Sequence, residues 1–266
     1  MKTPSNWTTS LPRPLYLEQI KIMEQAGRIT ADTLLLVEKY IKPGITTLEL
    51  DKIAEDFIRS KNAIPTFKGY NNFPNSLCIS VDECVVHGIP SNKQLKEGEI
   101  VSIDCGVTFN GFVGDSAVTF AVGKVSAEKQ QLMKITEEAL FKGIEQARPN
   151  KKIYDISKVI QEHCETNGYS LTRELTGHGV GKKLHQEPSI PNFVPSLLYR
   201  KNMPNAKLFN GLSIAIEPMV HIGNKEVYVS HEDKWAVITR DHTPAAHFEH
   251  TIIIADDSPI ITTLRN

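Results

Sequence analysis

The sequence predicts a mixed α/β (α+β) fold built of helices and strands, with an antiparallel hairpin among them, and three observations carry that prediction. Apolar residues recur at every second position on both sides of Asn110-Gly111, the strongest short signal for a hairpin. Four further stretches, beginning at Leu15, Thr46, Ser126 and Ile153, read as helices from their apolar spacing. A gapless shift of 106 positions aligns Pro43 with Pro149, Glu49 with Asp155, Leu50 with Ile156, Lys52 with Lys158, Ile53 with Val159 and Asp56 with Glu162. That echo suggests two similar halves meeting near residue 125, although amphipathic helices also resemble one another by chance.

Composition narrows the class. With 266 residues, 40% hydrophobic and 23% charged, the chain can bury a sizeable core as one large domain or two joined halves. Thirty basic and thirty-one acidic residues give a net charge of -1, so no basic field points to nucleic acid or anionic membrane as a partner. Four cysteines without a CxxC pair fit a reducing setting. No apolar run approaches the roughly 18 residues of a spanning helix, and the N-terminus has no secretory pattern. The expectation is a cytoplasmic protein that is not membrane-embedded.

In chain order, Met1 to Pro14 carries three prolines and reads as an extended arm. Leu15 to Ile41 is helical through Ile20, Met23, Ile29, Leu34, Leu35 and Val37, until Lys42-Pro43-Gly44 stops it. Thr46 with Glu49 has the form of a capping box for a second helix, whose buried stripe is Leu50, Ile53, Phe57 and Ile58. Thr66 to Asn75 is an aromatic loop, fitted either to line a ligand pocket or to cover a core edge, and Leu77 to Val81 follows as a strand. His87 precedes a turn, where a packed, hydrogen-bonded histidine is the ordinary reading. Helices are expected over Ser126–Ala147 and Ile153–Asn167, with His163 solvated on the second. Pro188 to Asn210 reads as a covering loop, and Leu212–Val220 and His247–Ile254 as strands.

The chemistry lies in the acids. If Asn110 and Gly111 form a two-residue loop, Phe109 pairs with Phe112, Asp104 with Ala117, and Gly106 with Asp115. Asp104 and Asp115 then share one face as diagonal neighbours, roughly 7 to 8 Å apart at the backbone. Asp is depleted in strands, and the small neighbours leave room for a metal between the carboxylates. A solvated face with two ordinary acids is the alternative. Glu217 and Glu249 each interrupt an apolar run, where an unpaired acid is costly. His178 lies in Gly177-His-Gly-Val-Gly, whose glycines would let a metal or substrate approach closely. Two Asp, two Glu and one His form an oxygen-rich set suited to two divalent first-row ions, Mn, Fe or Co, more than to a structural zinc. Two such ions can hold and acidify a water, which suggests amide hydrolysis.

Five motifs in order, His87-Gly-Ile-Pro, Ile103-Asp104 with Asp115, Gly177-His178-Gly-Val-Gly, Ile216-Glu217-Pro-Met-Val and Phe248-Glu249-His-Thr-Ile, resemble those of the type I, bacterial-class methionine aminopeptidases. The resemblance covers about Leu15 to Asp256. It implies the pita-bread fold: two pseudo-symmetric α/β halves, antiparallel strands cradling two metals and helices outside. By the family's pattern Asp115 and Glu249 would bridge two divalent ions (Co, Mn or Fe, with Zn also admissible), Asp104 would bind one, and His178 with Glu217 the other. His87 and His185 would hydrogen-bond the scissile amide or its tetrahedral intermediate, and Glu217 would also shuttle the proton. Phe67, Tyr70, Phe73, Cys78, Leu184 and Trp235 occupy the positions of the methionine pocket. Phe67 stands where Cys is frequent, Leu184 where Phe is usual, and Phe73 where Tyr often occurs.

The implied activity is removal of N-terminal methionine from nascent chains whose second residue is small. The partner would be a peptide or protein N-terminus near the ribosome, and the enzyme a monomer. A proline-directed peptidase of the same fold and a non-catalytic binding module are the rivals. The 32 positions from Glu217 to Glu249 leave no room for the type II insertion, and the short N-terminal stretch lacks the extra domain of prolidases. The expected organisation is an arm over residues 1–14, one catalytic domain over 15–256 with halves 15–125 and 126–256, and a tail over 257–266.

Overall fold

A computed structural model describes residues 11–198, 200 and 203–265, so most of the expected N-terminal arm lies outside the described residues. Helix α1 (Leu17–Glu38) buries Met23, Ala26, Gly27, Thr30, Ala31, Leu34 and Val37, the 3- and 4-residue spacing of one helical face. Helix α2 (Thr47–Ser60) starts at the expected capping box. Thr46 Oγ1 accepts from the Glu49 amide at 3.2 Å, and Glu49 Oε2 accepts from the Thr46 amide at 2.8 Å. After the short strand β1 (Ile64–Pro65) and a single 3-10 turn, Tyr70–Asn72, come β2 (Leu77–Val81) and β3 (Cys84–Val86).

Strands β4 (Ile100–Phe109) and β5 (Phe112–Ala121) form the expected hairpin in the expected register: Phe109 opposite Phe112, Asp104 opposite Ala117, Gly106 opposite Asp115. Both loop residues have positive φ, 47° at Asn110 and 79° at Gly111, as a tight hairpin turn of this twist requires. On its other edge β4 pairs with β2 and β1. Helix α1 lies directly on β5. A Cβ on Gly114 would stand 2.7 Å from Gly27 Cα, and Thr30 Oγ1 donates to the Gly114 carbonyl at 3.1 Å.

The second half repeats the plan with helices α3 (Ala127–Gln146), capped by Ser126, and α4 (Ile153–Thr166). Helix α4 begins 106 positions after α2 and has the same 14 residues, and Asp155 accepts from the Lys152 amide as Glu49 does from Thr46. Strands β6 (Ser170–Leu171), β7 (Gly177–Gly179), β8 (Gln186–Ile190), β9 (Ser213–Ile216), β10 (Met219–His221), β11 (Val227–Val229), β12 (Val237–Thr239), β13 (Ala245–His247), β14 (His250–Ile253) and β15 (Ile260–Ile261) follow. They build a five-stranded sheet in the order β15-β14-β9-β7-β8 and two three-stranded sheets, β13-β10-β6 and β11-β12-β3. One apolar cluster centres on Leu34, Leu50, Leu77 and Ile103, a second on Leu140, Ile156, Ile214 and Ile252. A third, containing Met23, Val113, Ala215 and Ile253, joins them.

Four expectations are corrected. The runs Leu212–Val220 and His247–Ile254 are each two strands. Pro218 has no amide hydrogen to continue a ladder, and the chain steps there from the five-stranded sheet (β9) into a three-stranded one (β10). At Phe248-Glu249 it steps back, from β13 to β14. The covering loop begins later than Pro188, because Gln186–Ile190 pairs with β7. Within the expected tail, residues 260–262 are packed as part of a sheet: β15 pairs with β14, and the Thr262 amide donates to the Thr251 carbonyl at 3.0 Å. His163 is not solvated; its Nε2 lies 3.0 Å from Glu138 Oε2, on the neighbouring helix.

Candidate metal centre

The hairpin presents Asp104 and Asp115 on one face, and the sheet switches present Glu217 and Glu249. Both glutamates sit where the chain changes sheet, so neither main chain is held in a continuous ladder and both side chains turn inward. Glu249 is 2% exposed and Asp115 3%. The Glu249 amide donates to the Ala117 carbonyl at 2.9 Å, which seats Glu249 against the hairpin. His178 enters from β7. A Cβ on Gly177 would meet the Ala215 carbonyl, and one on Gly179 the Glu187 carbonyl, so the flanking glycines make room for the adjacent strands. That is a different reason from ligand approach.

One ligand atom each from Asp115, His178 and Glu249 lie within 4.8 Å of one another. His178 Nε2 is 3.7 Å from Asp115 Oδ2 and 3.5 Å from Glu217 Oε1. Its Nδ1 lies 2.9 Å from the Gly179 carbonyl, which only accepts, so the ring proton is on Nδ1 and Nε2 carries a lone pair. Burial, with the neighbouring His185, holds this imidazole down at about 3, and it is neutral near pH 7. A lone pair therefore faces two carboxylates. Asp104 Oδ1, Asp115 Oδ1 and Glu249 Oε1 are buried without a hydrogen-bond partner among the described residues. Burial pushes Glu217 up to about 8. Burial also raises Asp115, with Glu217 adding, and Asp104, with Asp115 and Glu217 adding; Glu249 rises from burial and then from all three. Four acids and a neutral imidazole, turned toward one another with orphaned oxygens, are a donor set that fits divalent cations.

The other expected residues surround this group. His87, following β3, has φ of 61°, and its Nδ1 is buried without a partner among the described residues. His185 is exposed; its ring centroid is 4.3 Å from that of His178, and its Nδ1 is 2.8 Å from the Tyr70 hydroxyl. Phe67, Phe73, Cys78, Leu184 and Trp235 share one apolar cluster, with Phe73 edge-on to Trp235 at 5.1 Å. Tyr70 stands apart from that cluster, exposed, and meets His185. Burial, with Asp104 and Asp115 adding, pushes the Cys78 thiol well up, so it stays protonated. Trp235 is fixed by a turn in which Asp233 Oδ1 accepts from the Trp235 and Ala236 amides at 2.8 and 3.0 Å.

Sequence reasoning missed His247. It is 2% exposed, its Nε2 lies 3.4 Å from Glu217 Oε2, and Thr119 Oγ1 bonds both its amide and its carbonyl. The available signal was its place at the end of the strand leading to Glu249.

The model of "Metallopeptidase family M24" matches residues 21–256. The methionine aminopeptidase of Clostridium acetobutylicum is 47% identical over 247 residues, 92% of this chain and 96% of its own. Methionine aminopeptidase 1 of Bacillus subtilis is 47% identical over 240 residues, 90% and 93% of the two chains. The crystal structure of methionine aminopeptidase from Rickettsia prowazekii superposes with a TM-score of 0.90 at 38% identity, covering 95% of this chain and 99% of that one. Prolidase from Pyrococcus furiosus, at 20% identity and a TM-score of 0.75, shares the fold; the match spans 95% of this chain and 66% of the prolidase.

Proposed function

The chain belongs to metallopeptidase family M24, and from that premise we propose that it removes the N-terminal methionine of peptides and nascent proteins whose second residue is small. It is a metal-dependent aminopeptidase, with the mixed α/β pita-bread fold of that family. The observation that carries the metal reading is the His178 lone pair aimed at Asp115 and Glu217, an arrangement of acceptors that a cation between them resolves.

Asp115 and Glu249 would bridge two divalent ions, with Asp104 completing one and His178 with Glu217 the other. Mn, Fe and Co suit so oxygen-rich a set, and Zn also fits. When bound, the ions supply a water acidified toward neutral pH and polarise the scissile carbonyl. The chain's own residues do the rest. Glu217, whose burial favours the protonated form, takes a proton at its carboxylate and returns it to the leaving amine. His87 and His185 hydrogen-bond the amide from the rim. When the Tyr70 hydroxyl, 2.8 Å from His185 Nδ1, donates to it, the ring hydrogen is on Nε2 and free to donate into the cleft. Phe67, Phe73, Cys78, Leu184 and Trp235 enclose the methionine side chain, whose flexible thioether packs well against rings and sulfur.

Work near the ribosome, as a monomer in the cytoplasm, follows from this role. Among the described residues, no helix is long and apolar enough to cross a membrane. The test is methionine release from a Met-Ala-Ser peptide by chelator-stripped protein before and after adding Mn, Fe or Co. Release that needs the ion and is absent with a Met-Lys peptide is expected. No release with any ion from folded protein overturns the reading in favour of a binding module, and preference for an Xaa-Pro peptide overturns it in favour of a proline-directed peptidase.

A further inference from the structure

Residues 260–265 do more than add an edge strand. Beyond β15 the chain turns under the hairpin, and Thr262 and Thr263 are buried there. Arg265 Nη1 donates to Ser116 Oγ at 2.8 Å, and the Ser116 hydroxyl donates to the Glu249 carbonyl at 2.6 Å. Arg265 Nη2 lies 3.5 Å from His250 Nε2. A guanidinium only donates, so that nitrogen accepts and the His250 proton is on Nδ1, 2.9 Å from Thr263 Oγ1. Thr263 Oγ1 also accepts from the Thr251 amide at 3.1 Å. Thr251 Oγ1 in turn accepts from the Asp115 amide at 3.0 Å and donates to the Asp115 carbonyl at 2.8 Å.

Both acids assigned above to bridge the ions are thus gripped through their main chains. Ser116 holds Glu249 and Thr251 holds Asp115, and the two grips converge on residues 263 and 265, which touch neither carboxylate. We propose that Arg265 is a positioning residue for the metal centre, setting the two bridging carboxylates through Ser116 and through the His250-Thr263-Thr251 chain of hydrogen bonds. The inference rests on the metal reading given under Proposed function. Two ions sharing carboxylates need those oxygens fixed, and outer partners that orient ligands typically govern affinity or activity 10- to 100-fold. Arg265 is half-buried and bonds Ser116, which is fully buried, so the link is held in place rather than fluctuating on the surface.

The test compares the full chain with Arg265→Met, Arg265→Lys and Ser116→Ala. Each protein is stripped, titrated with Co(II) by calorimetry and by its visible absorption, and unfolded in urea without metal. Arg265→Met should bind at least one ion roughly 10-fold or more weakly, with an altered Co(II) spectrum. Arg265→Lys, which keeps a cation and a donor, should recover most of the lost affinity. Ser116→Ala should weaken binding too, and the double variant should lose little beyond Arg265→Met, because the two side chains act in one series. Wild-type affinities and spectrum in folded Arg265→Met, even with lower urea stability, overturn the inference and leave only a structural brace. Should Arg265→Met fail to fold, Ser116→Ala decides by the same readings. A wild-type chain that takes up no ion overturns the metal reading and this inference with it; a wild-type chain that does, with unaltered variants, overturns this inference alone.

Discussion

Gly106→Ala adds one methyl group opposite Asp115, and its effect can be worked out from the packing. The backbone at Gly106 is ordinary extended strand, so the cost is steric alone. A Cβ there would stand 2.5 Å from Phe67 Cε1, 3.0 Å from Cδ1 and 3.1 Å from Cζ. Carbon pairs settle at about 3.5 to 4.0 Å, so one partner must retreat by about 1 Å. The strand cannot, since Gly106 is paired with Asp115 on one side and its carbonyl accepts from the Thr66 amide at 2.8 Å. The Phe67 ring, 7% exposed, has to move instead. Overpacking of this kind costs about 1 to 3 kcal/mol, read as a lower urea midpoint with the slope unchanged. The displaced ring enters the proposed methionine pocket, so KM for Met-Ala-Ser should rise about tenfold if some 1.4 kcal/mol of that cost falls on binding. Ion content should not change, because the three atoms nearest the new methyl all belong to Phe67. Phe67→Leu on the Gly106→Ala background should restore stability. A Gly106→Ala protein within about 0.5 kcal/mol of wild type, with unaltered KM, would refute the packing described for this pocket.

Three further outcomes are expected. Asp115→Asn should keep the fold by circular dichroism while losing at least one ion and nearly all turnover; full activity with two bound ions would sink the ligand assignment. Trp235→Ala should reduce discrimination between methionine and smaller first residues more than it alters ion content, since the ring packs on Phe73 and lies near His87; unchanged selectivity would count against the pocket. Glu55 is held down at about 2, chiefly by its hydrogen bond from Lys68, against the opposing effect of burial and with help from Arg59. A carboxyl with a lowered folded pKa contributes stability above its ordinary value of 4.5 and loses it as pH falls through about 2. Glu55→Gln should therefore cost no more than about 1 kcal/mol at pH 7, because this pair is partly exposed. The gap to wild type should close toward pH 2, and a gap independent of pH would refute the ion-pair account.

How much of this could be read from the residues follows the range of the interactions. The hairpin was legible to the register, because its signals, period-2 alternation and Asn110-Gly111, lie within twenty residues of one another. So was the Thr46 and Glu49 cap, a bond between residues three apart. The acids stood out because ionisable groups inside apolar runs are costly wherever the chain goes. What stayed hidden depends on distant partners. An apolar run does not reveal that it changes sheet halfway, so Glu217 and Glu249 looked like strand residues rather than switch points. Pro188 concealed a strand edge, since proline reads as loop unless the pairing is known. The glycines beside His178 were visible, but their reason, the carbonyls of Ala215 and Glu187, comes from other strands. His247 had only its place two residues before Glu249 to mark it, and Arg265 carries no local signal; one matters through Glu217 and the other through Ser116, 149 positions away.

The grip of residues 263 and 265 on Asp115 and Glu249 also bears on the order in which the molecule acquires its parts. As a chain is synthesised from its N-terminus, α1, α2 and the hairpin can assemble early, since their contacts are close in sequence. The metal centre cannot. Asp115 meets Thr251 across 136 positions, and the last support arrives only with Arg265. Four acids, two of them buried and two half-buried, must come together before the ions can settle them, which makes closure of this site a late event in folding. A partly made chain would carry a formed hairpin with two acids and no centre, and divalent ions supplied during refolding should speed recovery of activity through the final step more than through the first.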